Sequence, residues 1–129
     1  MSNEYGSVLV VEDDKEINSL VGAYAQICGF EYRAALDGET ALREAQRQTP
    51  SAVILDLMLP DVDGFEVCRR LRNDLHLTDV PIIILSALSS DKDKARGREC
   101  GADEYLTKPF NPDELIRTLT DQVRQHQPS

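Results

Sequence analysis

The 129-residue sequence predicts an open α/β sandwich, with five short strands alternating with five helices around a doubly wound parallel sheet. Three observations carry that reading. Short apolar runs such as Val8–Val11, Ala52–Leu55 and Ile82–Leu85 have the continuous hydrophobic character of strands covered on both faces. Between them lie segments whose apolar residues recur every three or four positions, the stripe of an amphipathic helix. Strand starts fall roughly 20 to 30 residues apart, which leaves room for a strand and a crossover helix but not for a separate domain.

Ser7 to Val11 ends abruptly in Glu12-Asp13-Asp14, so the acids mark the carboxyl end of the first strand. Asp14 suits the N-cap of the helix that follows, in which Ile17, Leu20, Val21, Tyr24, Ala25 and Cys28 form the apolar stripe and Gly29 closes it. Glu31 to Ala35 reads as the second strand and Glu39 to Gln48 as a helix with Ala41, Leu42 and Ala45 inward. Pro50-Ser51 separates that helix from the third strand, Ala52 to Leu55. The third helix starts near Gly64: Asp63 with Glu66 has capping-box spacing, and Val62 can staple onto Val67.

Ile82 to Leu85 is the fourth strand, Asp91 to Cys100 a charged helix weakened by Gly97 and closed by Gly101, and Glu104 to Thr107 the fifth strand. Asn111-Pro112-Asp113-Glu114 supplies an N-cap, a proline at the first helical position and a reciprocal Glu to the last helix. Leu115, Ile116, Leu119 and Val123 are its core side. One domain over residues 6–124 is expected, with 125–129 as a polar, fraying tail or the start of a linker. His76 and His126 fall in a polar loop and in that tail, and neither reads as a ligand.

Asp and Glu number 23 against 14 Lys and Arg, a net charge of −9 that opposes a polyanionic partner, so direct nucleic-acid binding by this domain is not expected. No apolar run approaches the ~18 residues of a membrane span, and Met1–Glu4 lacks the basic start of a signal peptide, which points to the cytoplasm. Cys28, Cys68 and Cys100 form no Cys-x-x-Cys pair and read as small core hydrophobes in reducing surroundings. Lys92, Lys94, Arg96 and Arg98 interleave with acids as a solvated helix face.

In an open parallel sheet, ligands sit beyond the carboxyl ends of the strands. The residues there are Glu12 and Asp13 after the first strand, Asp56 after the third, Ser86 after the fourth and Lys108 after the fifth. Two unit charges about 4 Å apart at an effective dielectric of about 20 interact by roughly 4 kcal/mol, so gathered carboxylates repel one another and call for a cation. Carboxylate oxygens without His or Cys select Mg²⁺ or Ca²⁺ over Zn²⁺, and so small a ligand set favours Mg²⁺, which completes its shell with water and phosphoryl oxygens. Mn²⁺ is the alternative ion.

Four motifs then stand in order: Val10-Val11-Glu12-Asp13, Asp56-Leu57-Met58-Leu59-Pro60-Asp61-Val62-Asp63-Gly64, Ser86-Ala87, and Gly101-Ala102-Asp103-Glu104-Tyr105-Leu106-Thr107-Lys108-Pro109-Phe110. Together they resemble the receiver domain of two-component response regulators, over Gly6 to about Arg124. The resemblance implies a flavodoxin-like fold with strand order 2-1-3-4-5. It implies Asp56 as phosphoacceptor, Mg²⁺ bound by Asp13, Asp56 and the Met58 carbonyl, and Glu12 helping through water. Ser86 and Lys108 would bind phosphoryl oxygens, Tyr105 would be the switching aromatic, and Lys108-Pro109 would be cis.

Glu12 and Ser86 replace the family's commoner Asp and Thr but keep the functional groups. Met58 and Leu88 occupy places that in related receivers govern how water reaches phosphorus; both are apolar here, which implies a long-lived phosphorylated form. The implied donor is a histidine kinase or phosphotransfer protein. The implied reader is an output domain or partner protein at the fourth helix, fifth strand and fifth helix. Asn111-Pro112-Asp113-Glu114-Leu115 resembles the subclass joined to winged-helix DNA-binding domains, whose receivers dimerise on that face, but Arg98 and Thr118 depart from it, so a monomer or a weak phosphorylation-dependent dimer is expected.

Two other classes fit less well. A Mg²⁺-dependent phosphatase or phosphotransferase with an aspartyl-phosphate intermediate needs a second general acid where Met58 stands, and a substrate cap for which the chain has no insertion. A flavin-binding domain needs a hydroxyl-rich phosphate loop after the first strand, where three acids stand. The expectation is a regulatory domain that catalyses only its own phosphorylation and dephosphorylation.

Overall fold

The computed structural model describes residues 6–126. Its elements run β1 (Ser7–Val11), α1 (Lys15–Ile27), β2 (Glu31–Ala35), α2 (Gly38–Arg47), β3 (Ala52–Leu55), α3 (Gly64–Asn73), β4 (Ile82–Ser86), α4 (Asp91–Glu99), β5 (Glu104–Thr107) and α5 (Pro112–His126). All pairings are parallel and the sheet order is β2-β1-β3-β4-β5, as expected. Strand order therefore reverses between β1 and β3, and every strand ends on the same edge.

Alternation of side chains along each strand divides the core in two. Val8, Val10, Ile54, Ile83 and Leu85 face Val21 and Ala25 of α1 and Leu115, Leu119 and Val123 of α5. Leu9, Val11, Val53, Leu55 and Ile82 face Ala41 and Ala45 of α2 and Val67, Cys68 and Leu71 of α3. This is why the central strands read as unbroken apolar runs. Helix α4 differs, since Gly97 is its one buried residue. A Cβ there would stand 2.9 Å from Ile84 Cδ1 and 3.2 Å from Tyr105 Cδ2, so the glycine that weakens this helix also lets it approach the sheet.

The helix starts follow the sequence signals except in the reciprocal bonds of two capping boxes, since among the described residues the Glu114 side chain, like that of Glu66, accepts nothing from its N-cap amide. Asp14 caps α1 by accepting from Glu16 N and Ile17 N, and Asn111 caps α5 by accepting from Asp113 N and Glu114 N. Asp63 accepts from Phe65 N, but the capping box with Glu66 does not form. Glu66 turns instead to the Arg69 guanidinium one turn on, from which it accepts hydrogen bonds of 2.9 and 2.7 Å. Val62 packs on the cluster that holds Val67.

Two readings at the other ends also change. Helix α5 continues through Gln125 and His126, into the stretch expected to fray; residues 127–129 lie outside the described part. The His126 ring contacts Gln122 O at 2.8 Å and faces Asp103 at 3.6 Å, so the histidine belongs to the helix. Of the three cysteines only Cys68 is fully buried; Cys28 and Cys100 are half-buried at helix ends.

Candidate functional site

The sheet ladder carries the acids to its edge. Glu12 N donates to Ala35 O at 3.0 Å and Asp56 N to Val11 O at 2.9 Å, so both residues continue their strands by one step at the strand-order reversal. Glu12 and Asp56 are 4% and 6% exposed, while Asp13 is exposed. One carboxylate oxygen from each of these three residues lies within 4.8 Å of the others.

Lys108 enters this cluster from the end of β5. Its amide donates to Ser86 O at 2.9 Å, extending the β4–β5 pairing, and the Lys108-Pro109 peptide is cis, as expected. Its ammonium donates to Asp56 Oδ2 at 3.0 Å and also to Glu12 Oε1. Burial works against that charge, but the hydrogen bonds to Glu12 and Asp56 outweigh it and the lysine pKa is raised. Burial also pushes the Glu12 carboxyl up, in spite of its bonds to Lys108 and the Asp14 amide.

Three carboxylates thus face one ammonium. A divalent cation would balance the remaining negative charge, and the donors are hard oxygens, so the residues fit Mg²⁺. Receiver domains generally bind Mg²⁺ through such acidic residues.

The other expected residues take distinct places. Met58 N donates to Asp56 Oδ1 at 3.2 Å, which puts its backbone at the cluster, while its side chain is 57% exposed. Ser86 is fully buried and its hydroxyl accepts from Leu88 N at 3.3 Å. Leu88 and Tyr105 sit together one layer away, packed on Leu57, Phe65 and Ile84, and the Tyr105 hydroxyl donates to Leu88 O. That burial raises the phenol's pKa.

One supporting residue was missed. Asn18 on α1 is buried, and its amide donates to Val10 O at 3.1 Å, Glu12 O at 2.9 Å and Ala35 O at 3.2 Å while accepting from the Tyr32 hydroxyl. It ties β1 and β2 together directly beneath the acids. The available signal was an asparagine three and seven residues before the core positions Val21 and Ala25, a polar side chain on the buried stripe.

A doubly wound sheet with a lysine-braced acid cluster at its switch point defines an α/β domain whose site suits a hard cation. The chain belongs to the response regulator receiver domain family, whose profile matches residues 8–120. It is similar to the DNA-binding dual master transcriptional regulator RpaA of Synechocystis, at 40% identity over 118 residues, 92% of this chain and 49% of the relative. It is 41% identical to the transcriptional regulatory protein GltR of Pseudomonas aeruginosa over 127 residues, 98% of this chain and 52% of that one. The chain therefore spans about half the length of the curated relatives it matches. Among solved structures, the receiver domain of Francisella response regulator 1452 superimposes with a TM-score of 0.87 at 35% identity, covering 94% of this chain and 98% of the other.

In this family the receiver is the phosphorylation-activated switch of two-component signalling, a regulatory domain. Receiver domains of this family go with histidine kinase partners and output domains. No described helix is long and apolar enough to cross a membrane.

Proposed function

We propose that this chain switches through Asp56. The observation that carries the reading is that Asp56, buried at the end of central strand β3, has Oδ2 3.0 Å from the Lys108 ammonium and shares its cluster with Glu12 and Asp13. An Asp56 oxygen forms a bond to phosphorus while the donor's P–N bond breaks, or the P–O bond of acetyl phosphate, and the leaving group departs on the opposite side. Asp13, Asp56 and the Met58 carbonyl, with Glu12 through water, would hold Mg²⁺ or Mn²⁺. The ion supplies charge neutralisation for the transferred group.

Lys108 leaves its carboxylate partners for a phosphoryl oxygen, and the Ser86 hydroxyl, whose oxygen accepts from Leu88 N, donates its proton to another. Movement at Ser86 passes through Leu88 to Tyr105, which is bonded to Leu88 O, and so alters the face formed by α4, β5 and α5. Met58 and Leu88 set how long the acyl phosphate lasts.

The functional unit is residues 6–124, with 125–129 as a polar tail or the start of a linker, the first two of them still within α5. This acidic domain itself makes no nucleic-acid contact, although a relative that it matches over its length is named as DNA-binding. The domain acts in the cytoplasm as a monomer or a weak phosphorylation-dependent dimer. Intact mass after incubation with acetyl phosphate tests the reading. One added phosphoryl group that needs Mg²⁺ and is lost in Asp56→Asn supports it; equal uptake by Asp56→Asn overturns it.

A further inference from the structure

We propose that Asp61 is a positioning residue for the metal side of the site, acting through the loop that carries Met58; this rests on the metal reading above. The loop of residues 57–63 is fixed at its base, where Gly64 N donates to Leu57 O at 3.0 Å and Met58 N to Asp56 Oδ1 at 3.2 Å. Gly64 is pressed onto the loop's start: a Cβ there would stand 2.4 Å from Leu57 Cα and 2.7 Å from Asp56 O.

The loop's tip has a different anchor. Asp61 is exposed, yet Oδ1 accepts from Gly38 N at 2.8 Å and Oδ2 from Glu39 N at 3.0 Å, with Oδ1 also taking Val62 N at 2.9 Å. Gly38 and Glu39 are the first residues of α2, whose amides have no partner inside the helix. The helix's own cap, Asp37, reaches only Thr40 N, at 2.7 Å. Asp61 therefore completes the cap from another loop, as an anion at the positive end of the helix dipole.

The contact is close because residue 38 has no side chain. A Cβ on Gly38 would meet Val67 Cγ2 at 2.9 Å and Val62 Cβ at 3.0 Å. The amides of Gly38, Glu39 and Val62 hold the Asp61 carboxyl below its ordinary value, as charge-assisted bonds to an anion do. Met58 thus lies between two fixed points, the Asp56 carboxylate and the start of α2. Supports of this kind orient ligand atoms before an ion arrives, and losing them typically weakens metal binding by 10- to 100-fold.

Calorimetric Mg²⁺ titration of the whole chain, comparing the parent with Asp61→Ala, Asp61→Asn and Asp37→Ala, tests the assignment. Asp61→Ala should weaken Mg²⁺ by about tenfold. Asp61→Asn keeps an acceptor oxygen and should recover part of the loss. Asp37→Ala uncaps the same helix without touching the loop and should stay within about twofold of the parent. Parent-like affinity in Asp61→Ala overturns the proposal, as does an equal loss in Asp37→Ala. Hydrogen exchange of the metal-free protein reads the tether separately: Asp61→Ala should speed exchange across residues 57–63 as well as at Gly38 and Glu39, and a change confined to α2 overturns it. A parent that takes up no Mg²⁺ overturns the metal reading and the positioning role with it, while exchange still decides the tether.

Discussion

Lys108 and Asp56 are joined ammonium to carboxylate at 3.0 Å, and the same ammonium reaches Glu12, so the metal-free site is braced by the chain itself. Three clustered acids read as an uncompensated repulsion; Lys108 removes part of it. The brace is also a competitor, because one cation already occupies the space between two of the carboxylates.

Lys108→Gln should therefore bind Mg²⁺ more tightly, by several-fold to about tenfold, since no ammonium then opposes the incoming charge. Phosphorylation by acetyl phosphate should fall by about 100-fold or more, because a donor to the transferred group is lost. Calorimetry and initial rates on one preparation separate the two effects. A variant with weaker Mg²⁺ binding would refute the competition.

Asn18→Ala should cost about 2–3 kcal/mol, measured by urea denaturation, because it removes the buried amide's bonds to the carbonyls of Val10, Glu12 and Ala35 and the acceptor of the Tyr32 hydroxyl. A loss below about 0.5 kcal/mol would place Asn18 among ordinary surface substitutions.

Glu44 carries a pH signature at the other end of the sheet. Hydrogen bonds from Arg47, and then Arg33, hold its carboxyl down to about 2 from the ordinary 4.5. A depressed folded-state value gives stability that is present above the unfolded value and lost as pH falls through the folded one. The parent's advantage over Glu44→Gln should thus be full at pH 6 and shrink as pH drops below about 4.5 toward 2. Urea midpoints of both proteins at pH 6 and pH 3 check the sign, and an advantage that grows on acidification contradicts it.

Met58 and Leu88 bear on the lifetime of the phosphorylated form. Met58 stands exposed beside Asp56, and neither side chain can hydrogen-bond an attacking water. The double variant Met58→Asn/Leu88→Glu should hydrolyse about tenfold faster or more once the donor is removed, since positioned water reacts far faster than unpositioned water. Equal decay would assign the lifetime elsewhere. Leu88 is the weaker of the two positions, because it packs inward on the cluster with Tyr105.

The strands were legible because Val8–Val11, Ala52–Leu55 and Ile82–Leu85 are covered on both sides and need no polar alternation. The acids and Lys108 were legible because strand ends in an open parallel sheet are where ligands gather. What was hidden depends on contacts distant in sequence. Glu66 has the spacing of a capping box, yet the choice between an amide and Arg69 is made by side-chain reach. Arg33 lies in a strand expected to be ordinary, but its guanidinium is buried against the end of α2, donating to Gln48 O at 2.8 Å. Asp61 has no local signal of its partners, because Gly38 and Glu39 lie 23 and 22 residues away and only the fold brings them to it.

Reductive trapping tests the central claim most directly. Borohydride reduces an acyl phosphate on an aspartate to homoserine and leaves free carboxylates unchanged, so the phosphorylated chain can be reduced, digested and sequenced by mass spectrometry. Homoserine at position 56, only after acetyl phosphate with Mg²⁺, is the predicted result; conversion at Asp13 with residue 56 still aspartate would contradict the account.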